Sequence, residues 1–395
     1  MSTQQNIYLL GTARTAIGQF DGGLASMPAT GLGAEAIRAS VERSGIPVDE
    51  VDEAIMGNVI SAGLGQNPAR QAAIAGGLPV TTGAFTVNKV CGSGLTAVML
   101  AAQSIRCGSS NIIIAGGMEN MSRSPYLLDK ARNGYRLGNG VLIDSLLRDG
   151  LADAYGDASM GQFAEACAEK YGFSREQQDD YAIESHTLAR DAIQRGDLAS
   201  QIVPVSVTAG KTTTTIDTDE QPRRFDADKM RRLKAAFVDG GTVTAGNASS
   251  INDGAAAVAV ASDEAVKTYH LAPQARILGW ASASREPAWF TLAPIDAIGK
   301  LLTGLSLTVD EVDLFEINEA FAVVALAAIR DLNLPREKVN IHGGAIALGH
   351  PLGASGARIL VTLVHALQTR GKRIGIAALC IGGGEAVAVA VENLR

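Results

Sequence analysis

Val87-Asn88-Lys89-Val90-Cys91-Gly92-Ser93-Gly94-Leu95-Thr96-Ala97 joins a β-prone run to a helix through a glycine turn, and the rest of the chain is organised around that join. Phe85 to Val90 has the Thr, Val and Phe content of a buried strand, Gly92 and Gly94 permit a sharp turn, and Leu95 to Ile105 repeats apolar residues at helical spacing. Cys91 stands at the junction. A thiol at the start of a helix faces unpaired N–H groups and the positive end of the helix dipole, which predicts a lowered pKa and a nucleophilic sulfur. Two other readings compete. Cysteine is among the most commonly buried residues, which allows a purely structural thiol. Gly92-x-Gly94-x-x-Ala97 after a strand also has the form of a dinucleotide-binding turn, although no acidic residue follows at the distance that motif needs.

Outward from this stretch, strand and helix signals alternate. A strand is expected at Ile7 to Leu10, a helix from Leu32 to Ser44, a strand near Ala54 to Met56 and, past a further helix, strand and helix, a strand from Asn111 to Ala115. Such alternation implies an α/β layer structure. Beyond about residue 272 the pattern returns in letters. Val48-Asp49-Glu50-Val51-Asp52 recurs as Val309-Asp310-Glu311-Val312-Asp313 at an offset of 261 (309 minus 48). Cys91-Gly92-Ser93-Gly94 matches Gly353-Ala354-Ser355-Gly356, and Ile112-Ile113-Ile114-Ala115 matches Ile374-Gly375-Ile376-Ala377, both at an offset of 262 (353 minus 91, 374 minus 112). Blocks that hold register in this way argue for a duplicated domain. The chain divides into an N-terminal α/β domain over 1–120 with 245–271, an inserted segment over 121–244 and a C-terminal α/β domain over 272–395. The insertion is polar, has a helical pattern from Arg175 to Arg195, and carries a basic cluster at Arg223, Arg224, Lys229, Arg231, Arg232 and Lys234. It reads as a cap or flank to a site, and the cluster taken alone as a solvated helix face.

With 395 residues, 47% hydrophobic and 19% charged, the composition is that of a soluble, core-forming protein. A net charge of −7 argues against a general nucleic-acid binder while leaving room for a local basic patch. The start lacks the basic-then-apolar pattern of a secretory signal and no apolar run approaches a membrane span, so no membrane association is expected and the cytoplasm is the default compartment. Cys91, Cys107, Cys167 and Cys380 form no C-x-x-C pair and no metal-ligand spacing, which points to reduced thiols and away from a structural zinc.

Three stretches of the second half complete a site. Asn318-Glu319-Ala320-Phe321 follows the apolar Leu314 to Ile317, at the place in the repeat held by Asn58-Val59-Ile60. Gly343 to Gly356 is a glycine-punctuated loop that carries His350 and is read as opening a helix at about Ala357. Cys380-Ile381-Gly382-Gly383-Gly384-Glu385 ends the strand Ile374 to Leu379. All lie at strand or loop ends, where open α/β sheets place their ligands. By the repeat, the His350 loop is the symmetry partner of the Cys91 loop, and a Cys–His pair is a recognised way to activate sulfur.

Val87 to Gly94, Asn318 to Phe321, Gly349 to Gly356 and Cys380 to Gly384, in this order and spacing, resemble the motif blocks of the thiolases, with the greatest likeness to short-chain acetyl-CoA acetyltransferases. The resemblance implies duplicated α/β domains in a layered αβαβα arrangement with an inserted α/β loop domain. It implies condensation of two acetyl-CoA to acetoacetyl-CoA plus CoA, and the reverse thiolysis, through an acetyl-Cys91 intermediate. His350 would take the Cys91 proton and Cys380 would be the base for the second substrate's methyl group. The enolate oxygen would be held by His350 with a water positioned by Asn318, and the tetrahedral states by the backbone N–H groups of Cys91 and Gly382. The same N–H role offers a reason for the dense glycines after Cys380. Arg223 resembles the family residue beside the adenine of coenzyme A, Ser249 the serine near the pantetheine, and Met160 with Phe321 the acyl-pocket lining. The family implies no cofactor beyond the CoA thioester substrates, no metal, and a homotetramer of tight dimers.

Several positions depart from the pattern. Ser159 stands where a histidine is usual before Met160, His342 replaces the second Asn of Asn-x-Asn-Gly-Gly, Glu385 and Ala386 follow Gly384, and Phe290-Thr291 replaces a frequent Met-Gly pair. Ser159 motivates an alternative, a degradative 3-ketoacyl-CoA thiolase for longer chains. A decarboxylating ketoacyl synthase shares the duplicated architecture but resembles a Cys-His-His site and has no cysteine at the place of Cys380, and a catalytically silent scaffold or lipid carrier on the same fold is a further alternative. His186, His270 and His365 lie in helical patterns and, with Cys107 and Cys167, read as structural.

Overall fold

The computed structural model describes residues 5–156 and 158–395. Its frame is a sheet built from β1 (Ile7–Thr15), β2 (Glu53–Gly57), β3 (Gly83–Val87), β4 (Ile112–Asn120), β5 (Asn252–Ser262), β6 (Ala275–Ser284), β7 (Leu314–Ile317), β8 (Ile374–Ile381) and β9 (Glu385–Asn393). These run in the order β7-β8-β9-β6-β1-β5-β4-β2-β3, with the two-residue strands Gly18–Gln19 and Ile202–Val203 pairing β5 and β1. Within the sheet, the strands of the two halves are joined where β1 pairs β6, at Tyr8 with Arg276 and Leu9 with Ala275. Within each half the logic repeats: β4 runs parallel to β2 and antiparallel to β5, as β8 does to β7 and β9.

The repeated pentapeptide has a structural job. In each copy it forms a single 3-10 turn, Val48–Glu50 and Val309–Glu311, and ends in an aspartate that holds the start of a central strand. The Asp52 carboxylate accepts from the N–H groups of Asn111 and Ile112 at 2.7 and 2.9 Å, and Asp313 does the same for Arg373 and Ile374 at 2.9 and 3.0 Å. Both satisfy backbone donors that a strand end would otherwise leave open.

The longer helices are α1 (Ala29–Ser44), α2 (Pro68–Ala75), α3 (Ser93–Arg106), α4 (Met160–Tyr171), α5 (Arg175–Arg195), α6 (Ala293–Leu305), α7 (Ala322–Asp331) and α8 (Leu352–Thr369), of which α1, α2, α3, α6 and α8 lie against the strands. The side-chain period of 2 sorts them into layers. Ile112 and Ile114 of β4 pack with α1 and α2, while Ile113 and Ala115 pack with α3 and α8. In the other half Leu379 and Ile381 of β8 turn to the same α3–α8 layer, and Ile376, Ala378 and Cys380 to α6 and α7. The result is the αβαβα layering, with α3 and α8 in the middle. Every residue of α8 from Leu352 to Leu367 is buried, and its polar members Ser355, Arg358, Thr362 and His365 find partners inside the molecule. Where α3 and α8 cross, a Cβ on Gly94 would sit 2.9 Å from the Gly353 carbonyl oxygen, so the approach that joins the two loops requires glycine there.

The insertion supplies α4, α5, a hairpin of Tyr126–Leu128 with Leu142–Asp144, and another of Val205–Ala209 with Thr212–Ile216. It is tied to β1 by a fully buried pair: Arg14 donates to Asp219 from Nη1 at 2.7 Å and Nη2 at 2.8 Å, and Ile17 N–H adds a third bond at 2.8 Å. Asp219→Ala leaves a buried guanidinium uncompensated and is expected to cost about 3–5 kcal/mol. Urea titration followed by circular dichroism checks this; a loss below about 1 kcal/mol, the range of an exposed pair, contradicts it.

Some boundaries differ from the sequence reading. The strand before Cys91 ends at Val87, because Asn88 to Cys91 fold into the turn. The helix after His350 begins at Leu352 and not at Ala357, because Pro351 is a good residue to enter a helix. His270 lies outside any helix, in a left-handed turn at φ 52°. His365 does lie in α8 and bonds the Thr12 and Ser200 hydroxyls, each at 3.0 Å.

Candidate active site

Cys91 sits on a strained turn. Val90, a β-branched residue, has φ 46°, a conformation that costs free energy and is found where surrounding structure imposes it. The turn is held by Lys89 N–H donating to Ser93 Oγ at 2.8 Å and by Ser93 Oγ donating to the Val90 carbonyl at 2.6 Å. The expected lowering of the Cys91 pKa is not what this arrangement produces. The N–H groups of Gly92 and Ser93 are taken by the carbonyls of Lys89 and Val90, so the helix start does not offer them to the sulfur. The Gly382 and Cys91 N–H groups pull the thiol down, but burial outweighs them and, with the Glu119 charge, pushes it up to about 11.

His350 is delivered by the loop before α8. Its backbone N–H donates to Asn252 Oδ1 at 2.9 Å, and its Nδ1 lies 2.6 Å from Ser355 Oγ. Ser355 Oγ donates its one proton to the Pro351 carbonyl at 2.8 Å, so toward the ring it can only accept. Nδ1 therefore carries the hydrogen and Nε2 is the free base. Burial and the nearby Arg358 cation push the His350 pKa down to about 3. At rest the pair is a neutral thiol and a neutral imidazole. Asn318 lies beside the ring, its Nδ2 3.5 Å from both ring nitrogens, and its Oδ1 accepts from Arg358 Nη2 at 3.4 Å. That contact turns the amide so that its N–H₂ end faces the histidine.

Cys380 is fully buried in β8, and its thiol is pushed well above the usual range, chiefly by burial and next by the Cys91 charge. The Cys91 turn and the Cys380 strand end touch: Gly92 packs on Ile381 with no room for a Cβ, and the Gly382 N–H is turned to the Cys91 sulfur. Lys89 and Glu385 join the same two segments by an ion pair. Cys91 also packs against the apolar cluster of Val59, Ile60, Met121, Leu146 and Leu352, the last being two residues beyond His350. Thus four chain segments approach one another here, bearing Cys91, Asn318, His350, and Cys380 with Gly382. The dense glycines after Cys380 answer to a second need as well, since Gly383 and Gly384 have φ 90° and 89° in the turn to β9.

Met160 lines the same place, since a Cβ on Gly382 would lie 3.5 Å from its sulfur. Phe321 meets Phe237 and Phe290 edge-on at centroid distances of 6.0 and 6.3 Å, and Phe163 lies 6.5 Å from Phe290. This aromatic group shares a core with Cys380. Ser249 is strapped to the Asn318 segment by its N–H on the Ala320 carbonyl at 2.9 Å. Arg223 is exposed on the short turn Gln221–Arg224 and lines, with Thr187, Arg190 and Pro222, an open groove of about 620 Å³ along α5 that contains none of the four reactive residues. Ser159 proves to be the N-cap of α4, in a capping box with Gln162.

Sequence reasoning missed the supports. Glu319 is a buried acceptor for Tyr181 at 2.9 Å, Ser185 at 2.7 Å and Asn340 Nδ2 at 2.8 Å. Glu119, on the other half, takes four donors, and burial pushes its carboxyl up to about 7 against their pull. Its signal was a lone acid ending the apolar run of β4.

Residues 7–264 match the family model described as Thiolase, N-terminal domain, and residues 271–393 that described as Thiolase, C-terminal domain. The chain is 52% identical over 393 residues to acetyl-CoA acetyltransferase of Escherichia coli (strain K12), covering 99% of this chain and 100% of that relative. It is 49% identical over 393 residues to acetyl-CoA acetyltransferase 2 of Arabidopsis thaliana, covering 99% and 98%. Among solved structures, the acetyl-CoA acetyltransferase of Bacillus anthracis superposes with a TM-score of 0.97 at 41% identity, covering 100% of both chains. A thiolase from Ascaris suum in complex with coenzyme A superposes with a TM-score of 0.93 at 44% identity, covering 98% of this chain and 100% of that one. Two family matches that together span nearly the whole chain, and relatives of this identity at full length, lead to one conclusion: the chain belongs to the thiolase family.

Proposed function

We propose that this acyltransferase condenses two acetyl-CoA to acetoacetyl-CoA and CoA, and runs the reverse thiolysis, with Cys91 as the acetyl carrier. The observation that carries the reading is the approach of two sulfurs, Cys91 and Cys380, at the join of the halves, with the Gly382 N–H turned to the Cys91 sulfur and Leu352, two residues beyond His350, in the apolar cluster on which Cys91 packs. In the first half-reaction Cys91 gives its proton to His350 Nε2 as its sulfur bonds to the thioester carbonyl carbon. The resulting oxyanion takes the N–H groups of Cys91 and Gly382. CoA leaves as a thiolate and takes the Cys380 proton. Cys380 is then a strong base, because its burial disfavours the anion. It removes a methyl proton from the second acetyl-CoA, and protonated His350 with an Asn318-held water stabilises the enolate oxygen. The carbanion attacks acetyl-Cys91, the Cys91 thiolate departs, and His350 returns its proton.

Met160 and Phe321 are proposed to line the acyl pocket, Ser249 to meet the pantetheine arm and Arg223 the adenine, the insertion acting as the CoA-binding part. The aromatic group of Phe163, Phe237, Phe290 and Phe321 packs in one core with Met160, which supports a preference for short chains. Ser159, the motive for the longer-chain reading, is accounted for as a helix cap. Acetoacetyl-CoA is expected to be cleaved at least about tenfold more efficiently than a 3-ketoacyl-CoA two methylenes longer, the scale on which pockets discriminate methylenes; the reverse preference rejects it. Mass spectrometry after incubation with acetyl-CoA tests the carrier: acetyl on Cys91 is expected, and an unlabelled chain points to a silent scaffold.

The reaction as proposed draws on side chains and backbone, with CoA thioesters as substrates and no further cofactor. A homotetramer is supported by two surfaces: the open edge β3 with exposed Phe85 and Val80, and the arm carrying exposed Tyr126, Leu128, Leu137, Val141 and Leu142. Sedimentation giving a monomer rejects it. The cytoplasm is proposed as the compartment because Cys91 and Cys380 must both stay reduced, and both are free thiols.

A further inference from the structure

The helix that follows His350 has no side-chain cap of its own. Pro351 at its N-cap makes no side-chain bond, and its first turn has no acidic residue. A helix start leaves N–H donors open and favours negative charge. The Pro351 carbonyl takes the Ala354 and Ser355 N–H groups, and two further acceptors come from the other half of the molecule: Asn252 Oδ1 on β5 takes the His350 N–H at 2.9 Å, and Glu119 Oε2 at the end of β4 takes the Gly353 N–H at 2.8 Å. The remaining bonds of Glu119 all go to the loop after β2. Asn58 Nδ2 and Ile60 N–H donate to Oε1 at 2.9 and 3.2 Å, and Val59 N–H donates to Oε2 at 3.0 Å. Val59 and Ile60 belong, with Leu352, to the apolar cluster on which Cys91 packs. One carboxylate thus holds both the floor under the sulfur and the helix behind the imidazole.

We propose that Glu119 is a positioning residue of this site: reaching from the first half, its carboxylate caps the His350 helix and sets the imidazole against the Cys91 sulfur. The inference rests on the acetyl-Cys91 reading. Four N–H donors occupy the two oxygens, so the anion is the form that fits. Glu119→Gln keeps the shape but sets an NH₂ against N–H donors. Glu119→Asp keeps the charge and withdraws it from Gly353. The groups whose charges reach this cluster are Asp253 on β5 and Cys91 for Glu119, and Arg358 on α8 for His350.

The experiment is single-turnover acetylation of Cys91 by acetyl-CoA, followed from about pH 7.5 to 9, in wild type, Glu119→Gln and Glu119→Asp, with melting temperatures measured alongside. Wild type, with the proton going to His350, is expected to give a nearly flat profile. Both variants are expected to acetylate about a hundredfold more slowly, the scale of an ångström of misplacement. Their rates should climb about tenfold per pH unit as hydroxide takes over the proton, with KM for acetyl-CoA within about threefold of wild type. A variant that folds and keeps the wild-type rate, or that slows with an unchanged flat profile, overturns the proposal. If Gln does not fold, the Asp variant alone decides on the same two readouts; if neither folds, Glu119 is structural and the proposal is rejected. Absence of acetylation in wild type refutes the carrier reading instead.

Discussion

Cys380→Ser protein mixed with acetyl-CoA is expected to fill with acetyl on Cys91 while forming acetoacetyl-CoA about a thousandfold more slowly than wild type. Removing a general base costs about 10²–10⁴-fold, and the methyl proton of a thioester is weakly acidic, so the upper part of that range applies. A serine hydroxyl at this buried position has no accessible anion to replace the thiolate. Acetylation survives because the nucleophile and its proton acceptor are untouched and CoA thiolate leaves without much help. Its rate is expected to fall by less than about tenfold. Rapid-quench mass spectrometry reads the first step, and loss of methyl hydrogen exchange into deuterated water reads the second. Equal damage to both steps removes the division of labour between the sulfurs.

His350→Asn is expected to behave in the opposite way and to cripple both steps, each by about a thousandfold. In the proposed mechanism the imidazole holds the Cys91 proton in the first step and faces the enolate oxygen in the second. An amide has no basic nitrogen at the position of Nε2. Because burial pushes the Cys91 thiol up to about 11, the variant has little thiolate at neutral pH. Its residual acetylation should therefore rise with pH up to that value, where ionisation no longer needs the histidine. Acetylation of His350→Asn at the wild-type rate and with a flat profile assigns the proton to another group.

Much of this was legible before any coordinates. The glycine turn at Cys91, the returning pentapeptide with its strand-starting aspartates, and the helix Arg175–Arg195 are all encoded by neighbours in sequence. What stayed hidden depends on residues far apart. The partners of Glu119 lie 59 to 61 positions before it and 234 after, so nothing local marks it as more than the end of a strand. The dipole argument for Cys91 counted donors at a helix start but not the Lys89 and Val90 carbonyls that claim them. Ser159 looked like a lost functional residue, and only Gln162 bonding back to it shows a cap. The aromatic cluster draws Phe163, Phe237, Phe290 and Phe321 from four separated segments, and its closure belongs to the fold.

The neutral thiol–imidazole pair has a consequence for survival in an oxidising moment. Peroxides and electrophiles attack the anion of cysteine and largely ignore its conjugate acid. A sulfur held near 11 beside a histidine held near 3 is dormant between turnovers. Arrival of the thioester, by giving the departing proton a purpose, is what arms it.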